Sequence, residues 1–256
     1  FAMDVKIYAT RRETGEAAAR KAAQDLNEVI SRRGKANLVL ATGTSQFEML
    51  SELVEQDVPW EKVTAFHLDE YAGLPDTHPA SFVRYLQKRF EEKLPEPLNQ
   101  FYYIDGTAED LEAECERLNE LIEQHPIDVG CIGIGENGHL AFNDPPADFQ
   151  AESPFIIVEL NESCRRQQVG EGWFESMDEV PQEAITMSMQ QIMDIDNLIV
   201  TCPDKRKASA VERAVEGEIS NNCPASLLQP HSRSTLFLDE NSASDLSEAT
   251  RSGSET

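Results

Sequence analysis

Residues 38–53 read Leu38-Val39-Leu40-Ala41-Thr42-Gly43-Thr44-Ser45-Gln46-Phe47-Glu48-Met49-Leu50-Ser51-Glu52-Leu53. Four small or apolar residues in a row suit a short buried strand, Gly43 permits a tight turn, and Phe47, Met49, Leu50 and Leu53 then recur at helical spacing. A strand, a glycine turn and a helix in succession form the unit from which parallel sheets are wound.

The same alternation extends in both directions. Upstream, Ala17 to Val29 has few breakers and ends at Gly34, which predicts a helix of about four turns. Downstream, Val63–Leu68, Phe101–Ile104 and Ile127–Ile134 read as strands, with helices over Ser81–Phe90 and Ala108–Glu123 between them. Past residue 150 the pattern is looser. Phe155–Leu160, Leu198–Cys202 and Thr235–Leu238 read as strands, Lys205–Glu216 as a helix closed by Gly217, and Ala184–Met189 fits either state. The expected architecture is a single-domain, Rossmann-like, three-layer α/β/α fold with a mostly parallel central sheet over residues 4–240. An acidic, Ser-rich tail, residues 241–256, is expected to fray.

The composition narrows the function. The chain has 256 residues, 40% hydrophobic and 27% charged, an ordinary globular mixture that excludes a disordered or coiled-coil chain. With 22 basic against 47 acidic residues its net charge is −25, which repels phosphate backbones and anionic membranes, so no nucleic-acid or membrane partner is expected. An anionic substrate would need a local positive site built from a few cations and helix N-termini. The five cysteines are odd in number and lack metal-ligand spacing, which points to a reducing cytoplasm and to no metal site. No apolar run suits a membrane span or an export signal, and Phe1 and Ala2 precede Met3, which reads as a natural start.

In open parallel sheets ligands gather beyond the carboxyl ends of strands, and three such ends stand out here. Thr42, Gly43, Thr44 and Ser45 could offer backbone N–H groups and a helix dipole to a phosphate. Ser45 with Glu48 also matches a capping box, a purely structural alternative. At the second end Asp69 and Glu70 follow an apolar strand; neighbouring residues of an extended chain face opposite ways, so only one of them can face a given pocket, and either could instead cap a loop. The third end, Gly133-Ile134-Gly135-Glu136-Asn137-Gly138-His139, leads through Leu140-Ala141-Phe142-Asn143 to Asp144. Its glycines let backbone approach a ligand, and a histidine with a nearby carboxylate can shuttle a proton near neutral pH.

The run Phe66-His67-Leu68-Asp69-Glu70-Tyr71-Ala72-Gly73-Leu74, followed by His78-Pro79 and Ser81, resembles a signature of the glucosamine-6-phosphate deaminases, also called isomerases. Residues 133–145 resemble a second signature of that family, Thr42-Gly43 a third, and Lys207-Ala208 through Gly217 the helix that carries a substrate-phosphate lysine. The resemblance spans about Lys6 to Leu246. It implies that Asp69 moves a proton between C2 and C1 of an open-chain amino sugar and that His139, flanked by Asn137 and Asp144, opens the ring. It further implies that Thr42 to Ser45, Gly133 and Lys207 form the substrate and phosphate site. The reaction would release ammonia from a hexosamine 6-phosphate without any cofactor, and the family admits a homo-oligomer.

Two departures stand out. Asp144 occupies a position where the family usually has glutamate, and no basic residue aligns near Gly170, where relatives carry a second phosphate-binding arginine; Arg165 and Arg166 are the nearest substitutes. A 6-phosphogluconolactonase-like hydrolase and a non-catalytic sugar-phosphate sensor are the alternatives.

Overall fold

The structure, a computed structural model, describes residues 3–254; Phe1, Ala2, Glu255 and Thr256 lie outside the described residues, so the reading of Phe1 and Ala2 falls outside it too. The chain begins with β1 (Met3–Tyr8), α1 (Arg11–Arg33), β2 (Ala36–Leu40), α2 (Phe47–Leu53), β3 (Val63–His67), β4 (Asp69–Tyr71), α3 (Phe82–Arg89), β5 (Gln100–Phe101), α4 (Leu111–Gln124) and β6 (Val129–Ile132). It continues with β7 (Phe155–Glu159), α5 (Glu162–Gly170), β8 (Glu183–Met187), α6 (Met189–Met193), β9 (Asn197–Thr201), α7 (Ala208–Glu216), β10 (Ser234–Asp239) and α8 (Glu248–Ser252).

Seven strands form a wholly parallel sheet in the order β1-β10-β9-β6-β2-β3-β5. Period-two alternation divides its side chains between two helical layers. In β2, Leu38 and Leu40 pack with α1, α2 and α3, while Val39 faces the opposite layer containing α4, α6 and α7. In β10, Phe237 joins the first layer and Leu236 and Leu238 the second. α1 starts at Thr10, whose hydroxyl accepts from Glu13 N, and ends at Gly34, whose φ of +79° places it in the left-handed region glycine favours. No described helix is long and apolar enough to cross a membrane.

The sheet order fixes where a ligand can enter. From β2 the chain winds outward through β3 and β5, whereas β6, β9, β10 and β1 lie on the other side, so β2 and β6 flank the topological switch point. Their carboxyl ends carry the Thr42–Ser45 turn and the Gly133–Asp144 segment.

The mostly parallel central sheet is as expected; one further sheet was not foreseen, and one expectation, the frayed tail, requires correction. The fold has a second, antiparallel sheet in the order β4-β8-β7, absent from the sequence reading. After His67 the chain leaves the large sheet: Leu68 N still donates to Leu40 O at 3.1 Å, but Leu68 O already accepts from Met187 N at 2.7 Å. The ambiguous segment 184–189 is thus strand β8 followed by a Ser188-capped start of α6.

The tail does not fray over the described residues. Ala243 is fully buried, Ser242 N donates to Asp239 at 2.7 Å, and Arg251 reaches Glu240 and the Ala243 carbonyl. Ser247 N and the Thr250 hydroxyl donate to the Glu216 carboxylate at the end of α7, so hydrogen bonds that hydropathy does not reveal tie this segment down.

Candidate active site

One cleft lies over the switch point, lined by Thr42, Gly43, Ser45, Asp69, Gly133, Gly135, His139 and Lys207, together with Phe82, Phe142, Gln167, Gln168 and Glu171. The turn after β2 is built around Gly43, whose φ of +94° suits glycine. Tyr85 from α3 holds it by donating to Gly43 O at 2.7 Å. Next to it the buried Gln46 amide donates to Ser45 Oγ at 3.0 Å and to Thr201 O at 3.2 Å, joining this turn to the end of β9. Gly133 allows that approach, since a Cβ there would stand 3.1 Å from both Ser45 Oγ and Gln46 Nε2. The alternative capping box does not form: the Glu48 carboxylate takes Arg11 Nε at 2.8 Å instead.

Asp69 and Glu70 divide as their extended backbone demands. Asp69 faces the cleft, while Glu70 points away and accepts from Tyr71 N, Ser81 Oγ, Phe82 N and Val83 N at 2.8–3.1 Å. Glu70 therefore caps α3 and pins β4 to it. Asp69 is buried, and burial, followed by the charges of Glu70 and Asp144, pushes its carboxyl well above the usual carboxylate range. Such a carboxylate is a stronger base than an exposed aspartate.

His139 sits at the end of a tight turn in which Gly135 N donates to His139 O and Gly138 N to Gly135 O, both at 2.9 Å. The imidazole lies directly over Gly135, so close that a Cβ there would fall 2.0–2.5 Å from three ring atoms. Its Nδ1 donates to Asn137 Oδ1, which also accepts His139 N at 3.2 Å, so that Nε2 carries the free lone pair. Burial and then the Lys207 charge hold the imidazole down at about 3, so it is neutral at physiological pH and can accept a proton.

The expected carboxylate partner of His139 is not Asp144. Asp144 Oδ2 accepts from Asn161 N at 3.1 Å and Oδ1 is buried without a partner. Desolvation raises its carboxyl to about 6. Its position is electrostatic: its charge acts on Asp69 and on the buried thiol of Cys164. Neither Asn137, Asp144 nor Thr44 lines the cleft itself. Lys207 does; its buried ammonium donates to Ile134 O at 2.8 Å, after a turn in which Asp204 adopts a φ of +95°.

The substitutes for the missing arginine lie elsewhere. Arg165 donates to Met177 O and Val180 O, and Arg166 pairs with Glu162 on the surface. In their place the cleft receives Gln167, Gln168 and Glu171 from the end of α5, none of which the sequence reading singled out. Their only sequence signal was position, within the six residues that follow Arg165.

The cleft thus holds a buried basic carboxylate, a neutral imidazole and a buried ammonium around a glycine turn. The family described as glucosamine-6-phosphate isomerases/6-phosphogluconolactonase matches residues 9–237. The chain belongs to this family. Within it, the chain is 35% identical over 247 residues to a glucosamine-6-phosphate deaminase of Bacillus cereus strain B4264, covering 96% of this chain and 90% of the relative. A solved structure of a monomeric glucosamine-6-phosphate deaminase superposes with a TM-score of 0.87 at 34% identity, covering 95% of this chain and all of that one. The 6-phosphogluconolactonase of Thermotoga maritima superposes at 0.76 but with 15% identity, covering 93% and 99%, a likeness of fold alone.

Proposed function

We propose that this protein deaminates an amino sugar phosphate, glucosamine 6-phosphate or a related hexosamine 6-phosphate, yielding a ketose 6-phosphate and ammonia. The observation that carries this reading is the placement of Asp69 and His139 in one cleft with Lys207 and the Gly43 turn. His139 Nε2 takes the proton of the anomeric hydroxyl and delivers it to the ring oxygen, which opens the pyranose. The Asp69 carboxylate removes the proton from C2 of the open-chain 2-ammonio aldehyde while a proton of the substrate ammonium passes to the C1 oxygen, leaving an enol-type intermediate across C1 and C2. Asp69 returns that proton to C1, which leaves an imine at C2. Water adds to this carbon, and the resulting carbinolamine expels ammonia to leave the ketone.

Asn137 fixes the tautomer of His139, and Asp144 keeps Asp69 basic through its charge. Thr42, Gly43, Ser45, Gly133 and Lys207 receive the phosphate end of the sugar, the ammonium and the turn supplying positive charge and N–H donors. All of these residues belong to one chain, so each protomer carries a complete cleft whether the protein is monomeric or a homo-oligomer. Five free, buried cysteines support a cytoplasmic setting.

Ammonia release from hexosamine 6-phosphates tests the reading directly. Wild type should release ammonia and form ketose phosphate, and Asp69→Asn should lose turnover by more than a thousandfold, about 4 kcal/mol of barrier, while remaining folded. Turnover of Asp69→Asn within tenfold of wild type would remove Asp69 from the role of base. Hydrolysis of 6-phosphogluconolactone without ammonia release from any amino sugar would replace the reading with the lactonase alternative.

A further inference from the structure

The phosphate end of the cleft carries an anion of its own. Glu171 Oε1 accepts from Gln167 Nε2 at 2.9 Å and Oε2 from Trp173 Nε1 at 3.2 Å. These two donors hold its carboxylate over the Gly43 turn: Oε2 lies 3.9 Å from the point a Cβ on Gly43 would occupy. Of the nearby cations, Arg89 stacks over Phe47 and Tyr85, and two others are tied into ion pairs. Arg11 is held by Glu48 and the Thr44 carbonyl, and Arg206 by Asp204 and Glu136. Among the described residues lining the cleft, Lys207 is the basic side chain, His139 is neutral, and the acidic side chains are Asp69 and Glu171, of which Glu171 is the one held against the Gly43 turn.

We propose that Glu171 is a specificity-determining residue: its carboxylate, fixed against the Gly43 turn, opposes a doubly charged distal group and narrows the preference for phosphorylated over unphosphorylated hexosamines. A dianion seated on the Gly43 turn meets one buried ammonium and, fixed beside that turn, the Glu171 carboxylate, in a cleft that also holds Asp69, so much of the attraction of Lys207 is cancelled. A hydroxyl at the same end feels no such opposition and can donate to Glu171. This inference rests on the proposed function, which assigns the Gly43 turn to the distal end of the sugar.

The test is the ratio of kcat/KM for glucosamine 6-phosphate to that for glucosamine, in wild type and in Glu171→Gln. Gln keeps the side-chain length and one acceptor for Gln167 or Trp173 but removes the charge. The ratio should rise by about tenfold or more, equivalent to about 1.4 kcal/mol, chiefly through KM of the phosphorylated sugar. Glu171→Ala, which lacks both hydrogen bonds, should raise it in the same direction, so a folding defect in one variant leaves the other to decide. A ratio that moves less than twofold, or falls, in the folded variant overturns the proposal, because a merely structural role would affect both sugars alike. If wild type deaminates neither sugar, the functional reading fails, and titration calorimetry with inorganic phosphate still decides the role of the charge: tighter binding to Glu171→Gln supports it, and unchanged binding refutes it.

Discussion

Asp144 offers a quantitative test of how the site is maintained. Its folded-state pKa is raised from 3.8 to about 6 by desolvation, so between those values the folded chain binds a proton that the unfolded chain has released. The unfolded state binds fewer protons there, and stability therefore falls as pH rises through the window. A shift of about two units corresponds to about 3 kcal/mol at 1.36 kcal/mol per unit. The side chain is partly exposed, which lowers the expected cost to about 1–2 kcal/mol. Asp144→Asn removes the charge and keeps an oxygen for Asn161 N. Its amide also meets the place where Oδ1 lacks a partner, a cost that does not vary with pH. Urea unfolding of both proteins from pH 4 to pH 8 should then show the variant gaining about 1–2 kcal/mol relative to wild type as pH rises. Relief of Asp69, which feels the Asp144 charge, adds in the same direction. The same relief should move the acidic limb of the kcat/KM profile to lower pH. A stability difference constant to about 0.5 kcal/mol across the range, or one that grows toward acid, would refute the reasoning.

Gly135→Ala should drive His139 out of place, since the added Cβ overlaps its ring; activity should fall by about a hundredfold or more with a stability loss of about 1–3 kcal/mol, checked by ammonia release and thermal unfolding. Glu70→Gln turns an acceptor of four hydrogen bonds into one with an NH2 facing N–H donors, and should cost about 2–4 kcal/mol in urea unfolding. Lys207→Met should weaken glucosamine 6-phosphate binding by about tenfold to over a hundredfold, with a much smaller loss for glucosamine; an equal loss for both would assign Lys207 to structure.

The large sheet was legible because its strands are buried on both faces and separated by amphipathic helices, patterns that local sequence carries. β1 was not read at all, and β4 was invisible as a separate strand, because its three residues continue β3 and their partner lies in β8. That only one of Asp69 and Glu70 faces the cleft followed from backbone alternation, which left open which of the two it is. By contrast, the partner of His139 could not be read from proximity: Asp144 lies five residues beyond it, but the chain turns at Ala141, with a φ of +52°, and carries the carboxylate toward Asn161. Glu171 was missed for a related reason. A carboxylate near the end of an exposed helix looks like a solvated surface group until the small sheet and α5 are placed against the cleft.

The pairing pattern also sets an order of assembly during synthesis. Met3 in the first strand pairs with Ser234 in the last strand of the large sheet, and Asp69 pairs across to Thr186, roughly 120 residues later in the chain. A nascent chain emerging at about 5–20 residues per second leaves both N-terminal strands waiting for many seconds with unmatched edges. The proposed catalytic base is therefore fixed only once β8 has emerged, and β1 remains open until β10 is made. A ribosome-stalled fragment ending before residue 183 would hold Leu40 and Phe66 in neighbouring strands while Asp69 still lacked its sheet, so competence for chemistry arrives late and nearly all at once.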